Sequence, residues 1–265
     1  MSAVPETEIP LRRPEESDSS AVKTLRKALS ILDAFAAAET PLTVAEVAIR
    51  SGVTRPTAHR LVQTLIAQGY LTQNRRDGRI SAGYSVLQLA GSLLDTNQMR
   101  IESLPHLEAL ARETGERANL GILHRNQLLY LAGVEKPSLP TIYSRFGKTA
   151  PAYCASLGKA ILANLPESEL KAYFAEVPLV RRTKNTITEE AVLRKELAEV
   201  RRKGFAIDRE EHIPGLFCVA SAILLDGAPI GAIGATGRSL DALTKQVDTI
   251  QHTAEVISHV LSRGV

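Results

Sequence analysis

The sequence predicts an α+β chain in parts: an N-terminal winged helix-turn-helix, a joining helix, and a larger domain built on an antiparallel sheet. Three observations carry this. Residues 43–83 run as a capping pair, a helix, a tight turn, a second helix and a short basic hairpin. Positive charge collects on that same stretch. Beyond residue 100, strand-like runs joined by turn dipeptides alternate with helical stripes, which is the pattern of one sheet with helices packed against it.

Residues 1–20 are rich in Pro, Glu and Ser, carry a net charge of −3, and read as a disordered tail. Val22, Leu25, Leu29, Leu32 and Phe35 then mark an amphipathic helix that opens a domain over residues 21–83. Thr43 and Glu46 form a capping-box pair, in which each side chain satisfies a backbone donor at a helix start, and Thr43 is also a candidate DNA contact. Val44, Val47 and Ala48 follow at helical spacing, and Gly52 supplies the left-handed residue that ends the helix. Thr54 is a good N-cap, and Pro56 falls in the first turn, where its missing N–H costs nothing.

In the second helix Ala58, Leu61, Val62 and Leu65 make one apolar face. The opposite face carries His59, Arg60 and Gln63, with Thr54, Arg55 and Thr57 at its N-terminal end. An apolar back with short donors and arginines at the leading end suits entry into a DNA major groove. Asp77-Gly78 predicts a tight hairpin between Thr72-Gln73 and Ile80-Ser81. Arg75, Arg76 and Arg79 ring its tip, within reach of phosphates or the minor groove. Two bland alternatives stay open: Arg60 paired with an acidic neighbour, and His59 packed against the hairpin.

Composition narrows the possibilities. The chain has 265 residues and a net charge of +3, but residues 21–83 alone carry +5, the footprint that phosphate neutralisation requires. Trp is absent and aromatics are 4% of the chain, which argues against a stacking platform for single strands. Cys154 and Cys218 are far apart with no C-x-x-C pair, so neither a zinc site nor a disulfide framework is expected. No metal or cofactor is called for. The N-terminus lacks the apolar core of a secretory signal, and no apolar run approaches the roughly 20 residues that span a bilayer. The expected location is the cytoplasm.

Residues 84–99 form a helix that is apolar around most of its circumference (Val86, Leu87, Leu89, Ala90, Leu93 and Leu94), as expected of a linker helix that also supports a dimer. The remainder, 100–265, is a second domain. Leu104, Leu107, Leu110 and Ala111 form a helical stripe ending near Gly115. Residues 120–124 and 127–134 read as a hairpin around Arg125-Asn126, and 141–146 as another strand. Helices are expected at 156–164, 167–174 and 188–203, and strands at 205–208, 217–225 and 230–236, the last two joined at Asp226-Gly227. One long helix over 240–261 closes the chain.

Across about residues 22–262 the chain resembles the isocitrate lyase regulator (IclR) family of bacterial transcription factors. The matching segments include Thr57-Ala58-His59-Arg60-Leu61, Ala155-Ser156-Leu157-Gly158-Lys159-Ala160 and Arg202-Lys203-Gly204-Phe205-Ala206 through Glu210-Glu211. Gly215 with Cys218-Val219-Ala220, and Ala232-Ile233 through Gly237, complete the set. In this order and spacing they are specific. The resemblance implies a GAF-like (profilin-like) C-terminal effector domain, dimers that often pair into tetramers, and control by a small organic metabolite, an acid or an aromatic compound.

It also implies effector contacts at Asp208 and Cys218, and at Ser156 and Leu157, where helix-start N–H groups can hold an anion. Family members that bind small keto-acids carry two serines on the final strand. Here those positions are Gly234 and Thr236. The missing hydroxyl argues against a glyoxylate- or pyruvate-sized effector and for a larger or less polar one. Plainer roles remain for two of these residues: a core side chain for Cys218 and a structural ion pair for Asp208.

An enzyme is not expected. Cys154 or Cys218 with His212 and Asp208 offers the ingredients of a thiol hydrolase. Yet His212 is only six residues from Cys218 with Pro214-Gly215 between them, and no nucleophile-elbow motif occurs. The expected function is a DNA-binding repressor whose affinity for a double-stranded operator is set by a metabolite. The alternative is an architectural DNA-binding regulator without one.

Overall fold

The structure, a computed structural model, describes residues 20–135 and 146–263. The tail expected at 1–20 lies outside these residues apart from Ser20. So does the strand expected at 141–146, apart from Phe146, which sits in a turn. By internal contacts the chain divides into two units between Gly91 and Ser92.

The N-terminal unit contains α1 (Ser20–Ala36), α2 (Val44–Ser51), α3 (Arg55–Ala67) and a hairpin of β1 (Leu71–Gln73) with β2 (Ile80–Ala82). Its core is small and local. Ile31 of α1, Val47 of α2, Ala58 and Val62 of α3, and Leu42, Leu71 and Ile80 from around the hairpin are all buried together. The capping box forms as the sequence requires. Glu46 Oε2 accepts from the Thr43 backbone N–H at 2.7 Å, and the Glu46 N–H donates to Thr43 Oγ1 at 3.3 Å. Gly52 ends α2 at φ 68°. Leu42 bridges to Ile80 and so joins the hairpin to the segment preceding α2.

The hairpin departs from expectation. Asp77-Gly78 is not a two-residue turn, because residues 74–79 form a six-residue loop closed by the Asn74 N–H donating to the Arg79 carbonyl at 2.8 Å. The carboxamide of Asn74 and the carboxylate of Asp77 each accept a backbone N–H two residues on, from Arg76 and Arg79. These local side-chain bonds hold the wider loop open.

The joining helix α4 (Tyr84–Thr96) is shorter than expected and buries none of its residues. Leu87 is 67% and Leu89 59% exposed within the chain, so the expected burial on several sides does not occur in the single protomer. Asn97 starts a fresh helix, α5 (Gln98–Thr114), by accepting the Arg100 N–H.

The C-terminal unit is built on six antiparallel strands in the order β5-β4-β3-β8-β7-β6. These are β3 (Arg117–His124), β4 (Gln127–Val134), β5 (Thr149–Pro151), β6 (Ala206–Arg209), β7 (Phe217–Leu225) and β8 (Ala228–Gly237). The β3–β4 turn uses Arg125 and Asn126 at φ 49° and 61°, and the β7–β8 turn uses Asp226 and Gly227. Both are the left-handed pairs that match strand twist.

Between them on one face lie α6 (Ser156–Asn164), α7 (Glu167–Glu176) and α8 (Glu190–Lys203). The other face is covered by α5 and the closing helices. The single closing helix expected over 240–261 is two, α9 (Leu240–Thr244) and α10 (Val247–Ser262). Gly158 lets α6 press on the preceding segment, since a Cβ there would overlap the backbone of Ala152.

Candidate functional site

Two surfaces bring predicted residues together. On α3, His59, Arg60 and Gln63 are exposed along one face, with Thr54 and Arg55 exposed at its N-terminal end and Thr57 half-buried. The side chains of Arg55, His59, Arg60 and Gln63 make no hydrogen bond or ion pair with another described residue. Arg60 is therefore not held by an acid, and His59 is not packed away. Thr54 caps α3 by backbone only, and its hydroxyl lies 2.9 Å from that of Thr57. On the hairpin Arg75 and Arg76 project freely from the loop.

Arg79 behaves differently. It donates to the Pro41 carbonyl at 2.8 Å and stands 3.7 Å from Glu46 Oε2. It braces the hairpin against the start of α2, and so is committed to its own domain as well as to the loop. Thr43 is likewise used in the capping box. The Glu46 carboxyl is held below its ordinary range mainly by the Thr43 N–H, then by the Thr43 hydroxyl, with Arg79 adding to both.

The second surface is a cavity of about 20 Å³ in the C-terminal unit, lined by Ser156, Leu157, Asp208, Cys218 and Thr236 among others. Register explains the grouping. Asp208 faces Cys218 across β6–β7, and Cys218 faces Thr236 across β7–β8, so an acid, a thiol and a hydroxyl stand in one row on neighbouring strands. Cys218 Sγ lies 2.9 Å from Thr236 Oγ1, which also accepts from Asn119 Nδ2 at 3.1 Å.

α6 meets this row end-on. Ser156 is fully buried, its hydroxyl has no partner, and no side chain caps the helix. Unbonded N–H groups at a helix start together with a free hydroxyl favour an anionic group.

Gly234 does not line the cavity. A Cβ there would collide with the Val219 carbonyl and with Ala220, so the position serves close strand packing. The volume also departs from expectation. Roughly 10–15 Å³ suffices for one water, so a ligand larger than a few heavy atoms needs the wall to give. That wall includes His212, Ile213 and Leu216 from the β6–β7 loop, Phe217 at the start of β7, and Tyr130 from β4. Apart from His212, these were not singled out in the sequence. Their signal would have been the side-chain alternation of β4 and the apolar residues around Pro214-Gly215.

Behind the cavity sits a charged cluster that apolar patterning does not reveal. Lys159 of α6 is fully buried and donates to Glu211 Oε1 at 2.7 Å and to Glu196 Oε1 at 3.4 Å. The Glu211 N–H donates to Asp208 Oδ1 at 2.7 Å, and the Glu211 carbonyl accepts from the Thr186 hydroxyl, also at 2.7 Å. Burial pushes the Asp208 carboxyl up to about 6, opposed by the N–H groups of Glu211 and His212 and by Lys159, while the Glu211 charge adds to the rise. Burial likewise pushes the Cys154 thiol up to about 12, so it is no nucleophile. Among the described residues no group of His, Cys, Asp and Glu is placed to hold a metal, and no helix is long and apolar enough to cross a membrane.

A winged helix-turn-helix with an exposed cationic face, followed by a sheet domain with a small cavity, is the architecture of a DNA-binding regulator. Comparison with known proteins gives the family. Residues 24–75 match the IclR helix-turn-helix domain, and residues 91–259 match the bacterial transcriptional regulator IclR C-terminal domain. The chain is 32% identical over 246 residues to the HTH-type transcriptional regulator BhcR of Paracoccus denitrificans, covering 91% of this chain and 88% of that one. It is 27% identical over 257 residues to the HTH-type transcriptional repressor AllR of Escherichia coli, covering 94% and 95%. The solved Thermotoga maritima IclR superposes with a TM-score of 0.67 at 30% identity, over 91% of this chain and 99% of that one. The chain belongs to the IclR family of bacterial transcriptional regulators, which are DNA-binding proteins rather than enzymes.

Proposed function

We propose that the protein is a cytoplasmic repressor that binds a pseudo-palindromic operator as a dimer or paired dimers and is controlled by a small organic acid held in the C-terminal cavity. The observation that carries the effector half is the Ser156 hydroxyl, fully buried and without a partner at the uncapped start of α6. A buried hydroxyl left unbonded is costly unless something is meant to meet it. The row of Asp208, Cys218 and Thr236 offers that ligand further polar contacts.

On the DNA side, Arg55, Thr57, His59, Arg60 and Gln63 serve the major groove, and Arg75 and Arg76 the phosphates. Kinship with AllR, a repressor by name, supports the negative sign. Control requires that the ligand bind the DNA-competent and DNA-incompetent arrangements with different affinity. The exposed apolar face of α4 suits a dimer that both arrangements share.

Thermal-shift screening of small carboxylic and aromatic acids tests this reading. A true effector raises the melting temperature by mass action and changes operator affinity. Ser156→Ala is expected to weaken that ligand at least several-fold with the fold retained. If no acid shifts either melting or operator affinity, the protein is the architectural regulator instead.

A further inference from the structure

We propose that the cavity takes up a small carboxylate together with one proton, the ligand's anionic group resting on the open end of α6 and the proton on Asp208. This rests on reading the cavity as the effector site, and adds what that reading leaves open: how an acid binds beside an acid.

The conflict is geometric. The features that attract an anion, the Ser156 hydroxyl and the uncapped start of α6, open into the same cavity of about 20 Å³ that Asp208 lines. In so small a space a bound carboxylate stands close to the Asp208 carboxyl. When two carboxylates share one site, the pKa of one of them is strongly raised.

The two cations nearest Asp208 in the cluster, Lys159 and Arg209, are already engaged by other acids. Lys159 of α6 is shared between Glu211 and Glu196 of α8. Arg209, beside Asp208 in sequence, is half-exposed and faces Glu196 at 3.8 Å. The other ionisable groups around Asp208 are Glu211 and His212 of the β6–β7 loop, Cys218 of β7, Tyr130 of β4, and Cys154 with Arg182 behind the start of α6. The buried members, Lys159, Glu211 and an ionised Asp208, already sum to one negative charge. An entering anion therefore favours a proton drawn from solvent. Asp208 is the acceptor because it is 6% exposed, lines the cavity, and is already displaced toward neutrality by burial. Once protonated, its O–H becomes a donor toward the ligand, which turns a repulsive contact into a hydrogen bond. No covalent bond is made or broken.

Calorimetric titration of the full chain with pyruvate, glyoxylate and 4-hydroxybenzoate, at pH 7.5 in HEPES and in Tris, reads the proton directly. The two buffers differ in ionisation enthalpy. For whichever acid binds, the difference in heat is expected to correspond to close to one proton taken up per ligand. Kd should weaken roughly tenfold per pH unit above about pH 6.5. Asp208→Asn should bind the same acid with no buffer dependence and a nearly flat pH profile. Binding by the wild-type chain without proton uptake overturns the inference while leaving the effector site standing. Uptake that persists in Asp208→Asn also overturns it. Failure of every acid to bind the wild-type chain overturns both.

Discussion

Lys159 Nζ lies 2.7 Å from Glu211 Oε1, with the lysine side chain fully shielded and the glutamate side chain 5% exposed. This pair joins α6, whose first turn opens on the cavity, to the β6–β7 loop that walls it. The same loop is tied to β6 through Asp208 and to the segment before α8 through Thr186. The position of α6 and that of the wall are therefore set together.

Removing one partner of such a pair leaves a buried charge uncompensated, which typically costs about 3–5 kcal/mol. Lys159→Met is expected to lose stability on that scale in urea unfolding of the full chain. Lys159→Met with Glu211→Gln should recover a substantial part, since neither charge is then stranded. A single variant as stable as wild type would show that the pair does not organise the domain.

Asp208 makes stability depend on pH. Its carboxyl rises from the ordinary 3.8 to about 6 on folding, so the unfolded chain releases this proton first as pH increases. The stability it contributes is fully present below about pH 4, falls as pH rises through about 6, and is level beyond. The loss is on the order of 3 kcal/mol. Asp208→Asn keeps an acceptor for the Glu211 N–H without titrating. The stability of the variant relative to wild type is expected to climb between pH 4 and 6.5 and then hold. A constant difference across that window would contradict the assignment.

The hairpin arginines separate into two roles. Arg79 is tied to the Pro41 carbonyl and Glu46, whereas Arg75 and Arg76 are free. Arg79→Ala should lower the melting temperature of the N-terminal unit and weaken DNA binding with little change in its salt dependence. Replacing Arg75 and Arg76 by alanine should leave melting unchanged and reduce the slope of log affinity against log salt by about one per lost phosphate contact. Anisotropy titrations at several salt concentrations distinguish them, and identical slopes for both variants would count against the division.

Much of this architecture was legible because local chemistry and tertiary structure agree. Thr43 with Glu46, Gly52, and Pro56 behind Thr54 place α2, the turn and α3, and Arg125-Asn126 places the β3–β4 turn. Boundaries failed where the apolar stripe ran on through a break. Leu240 and Leu243 pass into Val247 and Ile250 as if one helix continued, although the chain re-caps at Gln246. In the same way Asn97 restarts a helix within an unbroken run.

The cavity was half legible. Ser156, Leu157, Asp208, Cys218 and Thr236 meet there, but Gly234 does not, because only strand spacing reveals that Val219 and Ala220 fill its place. Lys159 and Glu211 stood in the family motif without a role. A lysine inside an alternately apolar helix reads as a solvated residue until the acids that hold it, from α8 and the β6–β7 loop, are seen beside it.

Sequence-specific DNA recognition by α3 is tested most directly by selecting duplexes from a random pool with the full chain and with Arg60→Ala. Wild type is expected to enrich an inverted repeat. Arg60→Ala, equally stable, should lose enrichment at one base position in each half-site, at a cost of about 1–3 kcal/mol in affinity. Enrichment of the same repeat with the same affinity by both proteins would remove Arg60 from the interface, and no enrichment by the wild-type chain would contradict recognition through α3 altogether.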